Sequence, residues 1–274
     1  LYNRATQGKY APGSVFKIFT ALEYYRENTK GYEDYRYDCN GSITVDGKTI
    51  HCAGNHRHGT QDLEASFANS CNSSFANIAL TLNRNKFKEL CDSMLFNKSL
   101  PIAFDSSKSS FSLSKSDTTG MVMETGIGQG KTLVSPLHMM LVASAIDNDG
   151  TLMTPYMVDH TQNAAGVTVK TNEAKEYGAL ITEKAAHLLQ KYIRSVVTSG
   201  TGSKLAGQSY EASGKTGTAQ VSDSSDQTNA WFVGFAKKEG YKDLAIAVVV
   251  ENSGAGSTYA VPIAKKVFDV YFNK

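Results

Sequence analysis

Residues 209–220, SYEASGKTGTAQ, together with the apolar runs AWFVGFAKK (230–238) and DLAIAVVVEN (243–252), decide the fold. The three runs are rich in β-branched and aromatic residues and are separated by polar turns such as KKEGYKD (237–243), so they read as consecutive antiparallel strands. YAVPIAKKVFDVYF (259–272) then repeats apolar residues every three to four positions and reads as a closing helix. Upstream, five runs have a helical period. PGSVFKIFTALEYYREN (12–28) carries Val15, Ile18, Phe19, Leu22 and Tyr25 on one face after the Pro12-Gly13 break. LEASFANSCNSSFANIALTLN (63–83) and NKFKELCDSMLF (85–96) read as two helices, and the Ser- and Lys-rich 97–120 as loop. SPLHMMLVASAIDNDG (135–150) and ITEKAAHLLQKYIRSVVTSGTG (181–202) read as two more, the second closed by Gly200 as a C-cap. The expected architecture is α+β: an antiparallel sheet flanked by helices, with a mostly helical subdomain. One domain over 1–274 is expected, its helical part spanning roughly 20–195 and its sheet with closing helix roughly 210–274.

Composition narrows the function classes. A chain of 274 residues with 41% hydrophobic and 20% charged residues is ordinary globular protein. A net charge of +2 supplies no basic face that would call for nucleic acid or acidic lipid. No run of 18 apolar residues is present to span a membrane, and the abrupt opening LYNRATQGKYAPGS (1–14) reads as a fragment of a longer protein.

The tripeptide Gly-Lys-Thr occurs twice, at 130–132 and 214–216, which raises the question of a phosphate cradle. A P-loop needs a further Gly five residues earlier, where backbone N–H groups curl around phosphate. Those positions hold Thr125 and Ser209, so nucleotide binding is set aside. Lys215 with the hydroxyls of Thr216 and Thr218 on one strand face, and Gly217 between them admitting close approach, instead suits a carboxylate.

Two further groupings carry chemistry. Ser14 and Lys17 lie three apart in a first helical turn, where unpaired N–H groups can hold a developing oxyanion. Such an S-x-x-K is expected about once by chance in a chain this long, so position rather than presence makes it informative. Ser70 and Asn72 form an S-x-N box, which on its own reads as a helix kink or cap. S-x-x-K, Ser-x-Asn and Lys-Thr-Gly in this order are the penicillin-binding signature.

On these boxes the chain resembles the transpeptidase domain of class B penicillin-binding proteins nearly end to end. NRATQGKYAPGSVFK (3–17) is similar to the family's entry into its nucleophile helix, and HGTQDLEASFANSCN (58–72) to its second box. GIGQGKTLVSPLHM (126–139) matches its glycine stretch, and SGKTGTAQ with AWFVGFA its third box and following strand. The resemblance implies a D,D-transpeptidase that transfers the acyl group of a D-Ala-D-Ala stem peptide to a neighbouring amine. It implies Ser14 as nucleophile, Lys17 as base, Ser70 as proton relay, and Asn72 as holder of Lys17 and the substrate amide. Lys215, Thr216 and Thr218 would bind the carboxylate, and the N–H groups of Ser14 and Thr218 the oxyanion. Neutral Lys17 at pH 7 costs roughly 4.6 kcal/mol at an unperturbed pKa of about 10.4, so burial or a cation such as Lys215 must lower it. β-Lactams should acylate Ser14, and no cofactor is required. The parent protein would be membrane-anchored, associated with the cell-wall synthesis machinery and active outside the cytoplasmic membrane. In the family two strands and a helix precede the nucleophile helix, and this chain begins too late to contain them. Two alternatives stay open. A serine β-lactamase shares the boxes, but no E-x-x-L-N or Y-G-N element is found here; a non-catalytic β-lactam sensor shares them too.

Four cysteines complete the reading. Cys39 and Cys52 flank NGSITVDGKTIH (40–51), which alternates around an Asp46-Gly47 turn and reads as a hairpin, making them a candidate disulfide. Cys71 and Cys91 read as small core residues. His51, Cys52, His56 and His58, with Cys39 near, raise zinc, but their spacing matches no standard site and no metal is expected. Trp231 is read as packing.

Overall fold

The structure, a computed structural model, describes residues 2–221 and 227–273. One turn of helix, α1 (Arg4–Gln7), and a 3₁₀ turn over Gly13–Phe16 lead into α2 (Lys17–Glu27). Two ribbons follow: β1 (Tyr37–Cys39) pairs with β4 (Gly59–Gln61), and inside them β2 (Ser42–Val45) pairs with β3 (Lys48–His51). Asp46 and Gly47 turn the inner ribbon with positive φ, as the hairpin reading requires. Then come α3 (Leu63–Ala68), α4 (Asn72–Thr81), α5 (Arg84–Ser93), α6 (Thr119–Gly126) and α7 (Pro136–Asp147). Two ribbons, β5 (Thr151–Thr154) with β8 (Lys175–Ala179) and the exposed β6 (His160–Gln162) with β7 (Thr168–Thr171), precede α8 (Glu183–Ser199). β9 (Glu211–Gln220), β10 (Thr228–Lys237), β11 (Leu244–Val250) and α9 (Gly256–Phe272) end the chain. Among the described residues no helix is long and apolar enough to cross a membrane.

β9, β10 and β11 form one antiparallel sheet in the order β11-β10-β9, as their sequence pattern requires. The period of two along β10 sorts its side chains cleanly. Trp231, Val233 and Phe235 join the main core with the helices between α2 and α8, while Ala230, Phe232 and Ala236 pack under α9 with Phe268 and Phe272. Buried on both faces, the sheet is the middle of three layers, which leaves only its edges and strand ends for chemistry. Trp231 is fully buried and donates from Nε1 to Ala11 O at 3.1 Å, tying the sheet to the segment before Ser14. Phe16, Phe19, Phe87, Phe96 and Phe111 stack around the start of α2 at centroid distances of 5.0 to 6.0 Å, which anchors the turn that carries Ser14.

Three expectations are corrected. The 63–83 run is two helices, α3 and α4, because Ser70 takes a left-handed φ of 56° and Cys71 Sγ caps α4 by accepting from Ser74 N. Helix α6 begins two residues before the end of the stretch read as loop, 97–120, and fills the unassigned run before GIGQGKT; its glycines mask the signal, yet Gly126 lets it press on α4, since a Cβ there would sit 2.3 Å from Ala79 Cβ. Gly200 ends α8 in extended rather than left-handed backbone, and its requirement for glycine is close approach, a Cβ falling 2.2 Å from Ala68 O.

Candidate active site

The 3₁₀ turn, the α3–α4 break and β9 meet at one cleft of about 590 Å³, lined by Ser14, Ser70, Asn72, Thr216, Gly217 and Thr218. Lys17 and Lys215 stand behind this lining, each wholly buried. All eight residues singled out in the sequence are therefore gathered in one place.

Backbone contact sets Ser14 against β9. Gly13 has φ 53°, and a Cβ on it would lie 2.5 Å from Thr218 O, so a glycine is needed for the turn to abut the strand. Gly217 meets Pro12 O from the other side at 3.1 Å from its own notional Cβ. Gly128 of the first Gly-Lys-Thr stretch buttresses the same turn: Gly13 N donates to Gly128 O at 2.9 Å, and a Cβ on Gly128 would fall 2.0 Å from Gly13 O. The first stretch is thus a structural turn.

Lys17 Nζ donates to Ser70 O at 2.7 Å and to Asn72 Oδ1 at 2.7 Å, and lies 3.3 Å from Ser70 Oγ. The expected contact with Ser14 is absent among the described residues; the amine reaches across to the S-x-N box, where two carbonyl oxygens outcompete a hydroxyl. Asn72 is oriented by its own Nδ2, which donates to His51 O at 2.9 Å and so turns Oδ1 towards Lys17. Lys215 Nζ donates to Ser70 Oγ at 2.8 Å and to Thr216 O at 3.1 Å. Ser70 Oγ consequently sits between two amines, and its left-handed backbone is the strain that puts it there.

Among the described residues no carboxylate acts on either lysine. Burial lowers Lys17 to about 7, with Cys71 and Cys52 opposing the shift. Burial and the neighbouring Lys17 hold Lys215 well below the usual lysine range. It is burial, not Lys215, that brings Lys17 down. The rings of Phe75 and Phe67 lie 5.5 Å from Lys17 Nζ and Lys215 Nζ and supply cation–π contact in place of counter-ions.

Sequence reading missed several parts of the cleft. Thr201, in the turn after α8, shares a hydrogen bond with Thr216 at 2.5 Å between their Oγ1 atoms. Thr218 Oγ1 accepts from Gly256 N, the start of α9, at 3.3 Å. Lys48 and Glu124 pair at 2.5 Å at the cleft wall. Thr201 lies in SGTG, where only the glycine signal was legible; the pair unites a hairpin with a helix and leaves no local trace.

The candidate metal set is regrouped. His58 Nδ1 lies 3.3 Å from Cys39 Sγ, but His51 only lends its carbonyl to Asn72 and His56 stands off with ring centroids 6.1 Å from His58. Cys39 and Cys52 are brought to 3.6 Å as free thiols rather than a disulfide. Cys71, read as core filler, joins them at 3.7 Å from Cys52, whereas Cys91 does pack in the core.

Known proteins are similar to this chain in sequence and in fold. The family model for the penicillin-binding protein transpeptidase domain matches residues 1–269. Stage V sporulation protein D of Bacillus subtilis is 31% identical over 283 residues, 97% of this chain and 43% of its own length. Peptidoglycan D,D-transpeptidase MrdA of Haemophilus influenzae is 26% identical over all of this chain and 46% of its own. The chain therefore spans less than half of either relative. Among solved structures, the D,D-transpeptidase domain of a peptidoglycan glycosyltransferase from Eggerthella lenta superposes with a TM-score of 0.86 at 25% identity, covering 98% of this chain and 68% of that one. With the three boxes facing one cleft and a family match over almost its whole length, the chain belongs to the class B penicillin-binding protein transpeptidase domains.

Proposed function

We propose that this chain is a peptidoglycan D,D-transpeptidase domain that works through an acyl-enzyme on Ser14, and that β-lactams acylate the same oxygen. The observation that carries the reading is the bonding of Lys17. Its two short contacts end on Ser70 O and Asn72 Oδ1, which can only accept. A neutral amine has two N–H groups, so both are committed there and the lone pair is left to take a hydroxyl proton. With Lys17 near 7, that neutral form is well populated at neutral pH.

Ser14 Oγ then bonds to the carbonyl carbon of the penultimate D-Ala while its proton passes to Lys17. The tetrahedral oxyanion is held by the N–H groups of Ser14 and Thr218, a role supported by the close approach of Gly13 to Thr218 O. Ser70, between the two amines, passes a proton to the nitrogen of terminal D-Ala as the C–N bond breaks. An amine of a neighbouring stem attacks the ester carbonyl, loses a proton along the same path, and restores the Ser14 hydroxyl. Lys215, Thr216 and Thr218 hold the terminal carboxylate. The relatives' names support the substrate class. Peptidoglycan lies outside the cytoplasmic membrane, so the domain works there, on a membrane-anchored parent associated with cell-wall synthesis.

Intact mass spectrometry after benzylpenicillin, with peptide mapping over hours, tests this. A lasting adduct on Ser14 that Ser14→Ala abolishes is expected. An adduct that vanishes within minutes would replace the reading with a serine β-lactamase, and labelling that survives Ser14→Ala would end it. The acylation rate should rise with pH through about 7 and level off above, since the neutral base is the active form.

A further inference from the structure

Beside the cleft, and unused by the chemistry above, four donor atoms converge on one point. Cys39 Sγ, Cys52 Sγ, His58 Nδ1 and Cys71 Sγ all lie within 4.8 Å of one another. We infer that Cys39, Cys52, His58 and Cys71 form a closed tetrahedral site for a zinc ion.

Three of the six donor separations already match the edges of a tetrahedral zinc site, and all six lie within 4.8 Å. Thiolate sulfur and imidazole nitrogen about 2.3 and 2.0 Å from a shared zinc stand about 3.3–3.8 Å from each other. The observed separations are 3.6 Å for Cys39–Cys52, 3.7 Å for Cys52–Cys71 and 3.3 Å for Cys39 to His58 Nδ1. Three sulfurs and one imidazole nitrogen are a zinc donor set, and four protein ligands leave no position open, which makes the role structural rather than hydrolytic. A disulfide would use two of the sulfurs and leave the third, with the histidine, unexplained.

The fold delivers each ligand from a fixed end. Cys39 ends β1 and His58 immediately precedes β4, whose Gly59 pairs with Cys39. Cys52 follows β3, its N–H donating to Gly41 O at 2.8 Å to close the base of the hairpin. Cys71 is the N-cap of α4. The three cysteines are buried, and the surrounding groups suit thiolates: Ser73 Oγ lies 3.1 Å from Cys39 Sγ and 3.4 Å from each of the other two, and Ser74 N donates to Cys71 Sγ at 3.5 Å.

Cys71 stands between Ser70 and Asn72 in the chain. An ion at this site would therefore clamp the S-x-N box to the two ribbons that form the adjoining cleft wall. Hairpin, box and α4 would be joined by four bonds where the sequence shows only scattered cysteines.

Metal analysis of the purified chain, produced in zinc-containing medium, is expected to give one zinc per chain. Stripping the zinc and titrating with cobalt(II) should give strong thiolate-to-cobalt charge-transfer bands and the visible bands of a tetrahedral ion, saturating at one equivalent. Cys52→Ser should lose the zinc, while Cys91→Ser, whose sulfur lies in the separate core, should keep it. Should Cys52→Ser fail to fold, the cobalt titration of the parent chain decides alone. Zinc at trace level with no tetrahedral cobalt spectrum would overturn the inference, as would peptide mapping that finds a disulfide between any two of Cys39, Cys52 and Cys71. Neither readout involves penicillin, so this proposal and the acyl-enzyme reading can fail separately.

Discussion

The tripeptide Gly-Lys-Thr at 130–132 and the same tripeptide at 214–216 have opposite fates. Lys131 keeps 64% of its side chain exposed and reaches Asp117 at 3.7 Å, while Lys215 is wholly buried against Ser70. Thr132 Oγ1 is buried with no hydrogen-bond partner among the described residues, whereas Thr216 Oγ1 bonds to Thr201. Gly130 turns a loop with φ 74°, and Gly214 sits in a strand. What separates them is the backbone each is built into: a ten-residue strand paired along its length with β10 fixes Lys215 towards the core, and a glycine-rich turn lets Lys131 float. Chemistry follows burial and pairing, and the three letters alone carry none of it.

The largest test of that contrast is Lys215→Ala. It removes the only contact from β9 to Ser70 Oγ among the described residues, and loss of one preorganised donor of this kind costs about 100 to 1000-fold in rate. The acylation rate constant with benzylpenicillin, measured by stopped flow on protein shown folded by circular dichroism, should fall by that factor. A change below about threefold would mean the two lysines differ in burial but not in function.

The same contrast explains what could be read in advance. β9, β10 and β11 were legible because their period of two and their turn residues are local signals, and α2, α7 and α8 because a period of 3.6 is equally local. The boxes were legible as letters, and their order implied that they meet. Of the partners of Lys17, Asn72 was implied by the resemblance, but Ser70 O was not legible, since it is turned inward by a left-handed residue that breaks an apparently continuous helix. The cluster of three cysteines and His58 was legible only in part: Cys39, Cys52 and His58 stood among the residues that raise zinc, but the four lie at the ends of four separate elements and Cys71 hides between two residues already given other roles.

A smaller effect separates the two glycines. At Gly214 a Cβ would fall 2.3 Å from Phe232 Cζ and 2.8 Å from Val233 O, so Gly214→Ala must push a buried ring or the strand aside. Overpacking of this kind costs about 1–3 kcal/mol, to be read as a lower urea midpoint at unchanged slope. At Gly130 the space is open, the nearest atom being Glu124 Cβ at 3.9 Å, and only the left-handed backbone resists a side chain. Gly130→Ala should therefore lose about 1 kcal/mol. Equal losses at both sites would show that Phe232 yields freely and that the strand is less tightly packed than its burial suggests.

The smallest effect belongs to Lys131. Its ion pair with Asp117 is long and its ammonium is in water, where Coulomb attraction is weak and ordering the side chain offsets most of it. Asp117 keeps its own structural contact, accepting from Ser114 N at 2.7 Å through Oδ2, so it does not depend on Lys131. Lys131→Ala should accordingly shift unfolding free energy by no more than about 0.5 kcal/mol and leave the acylation rate unchanged. A loss of rate would place Lys131 among the groups that meet the substrate at the mouth of the cleft, next to Gly130, which does line it. In that case the two tripeptides would share a task from opposite sides, and the buttressing of Gly13 by Gly128 would be only part of what the first one does.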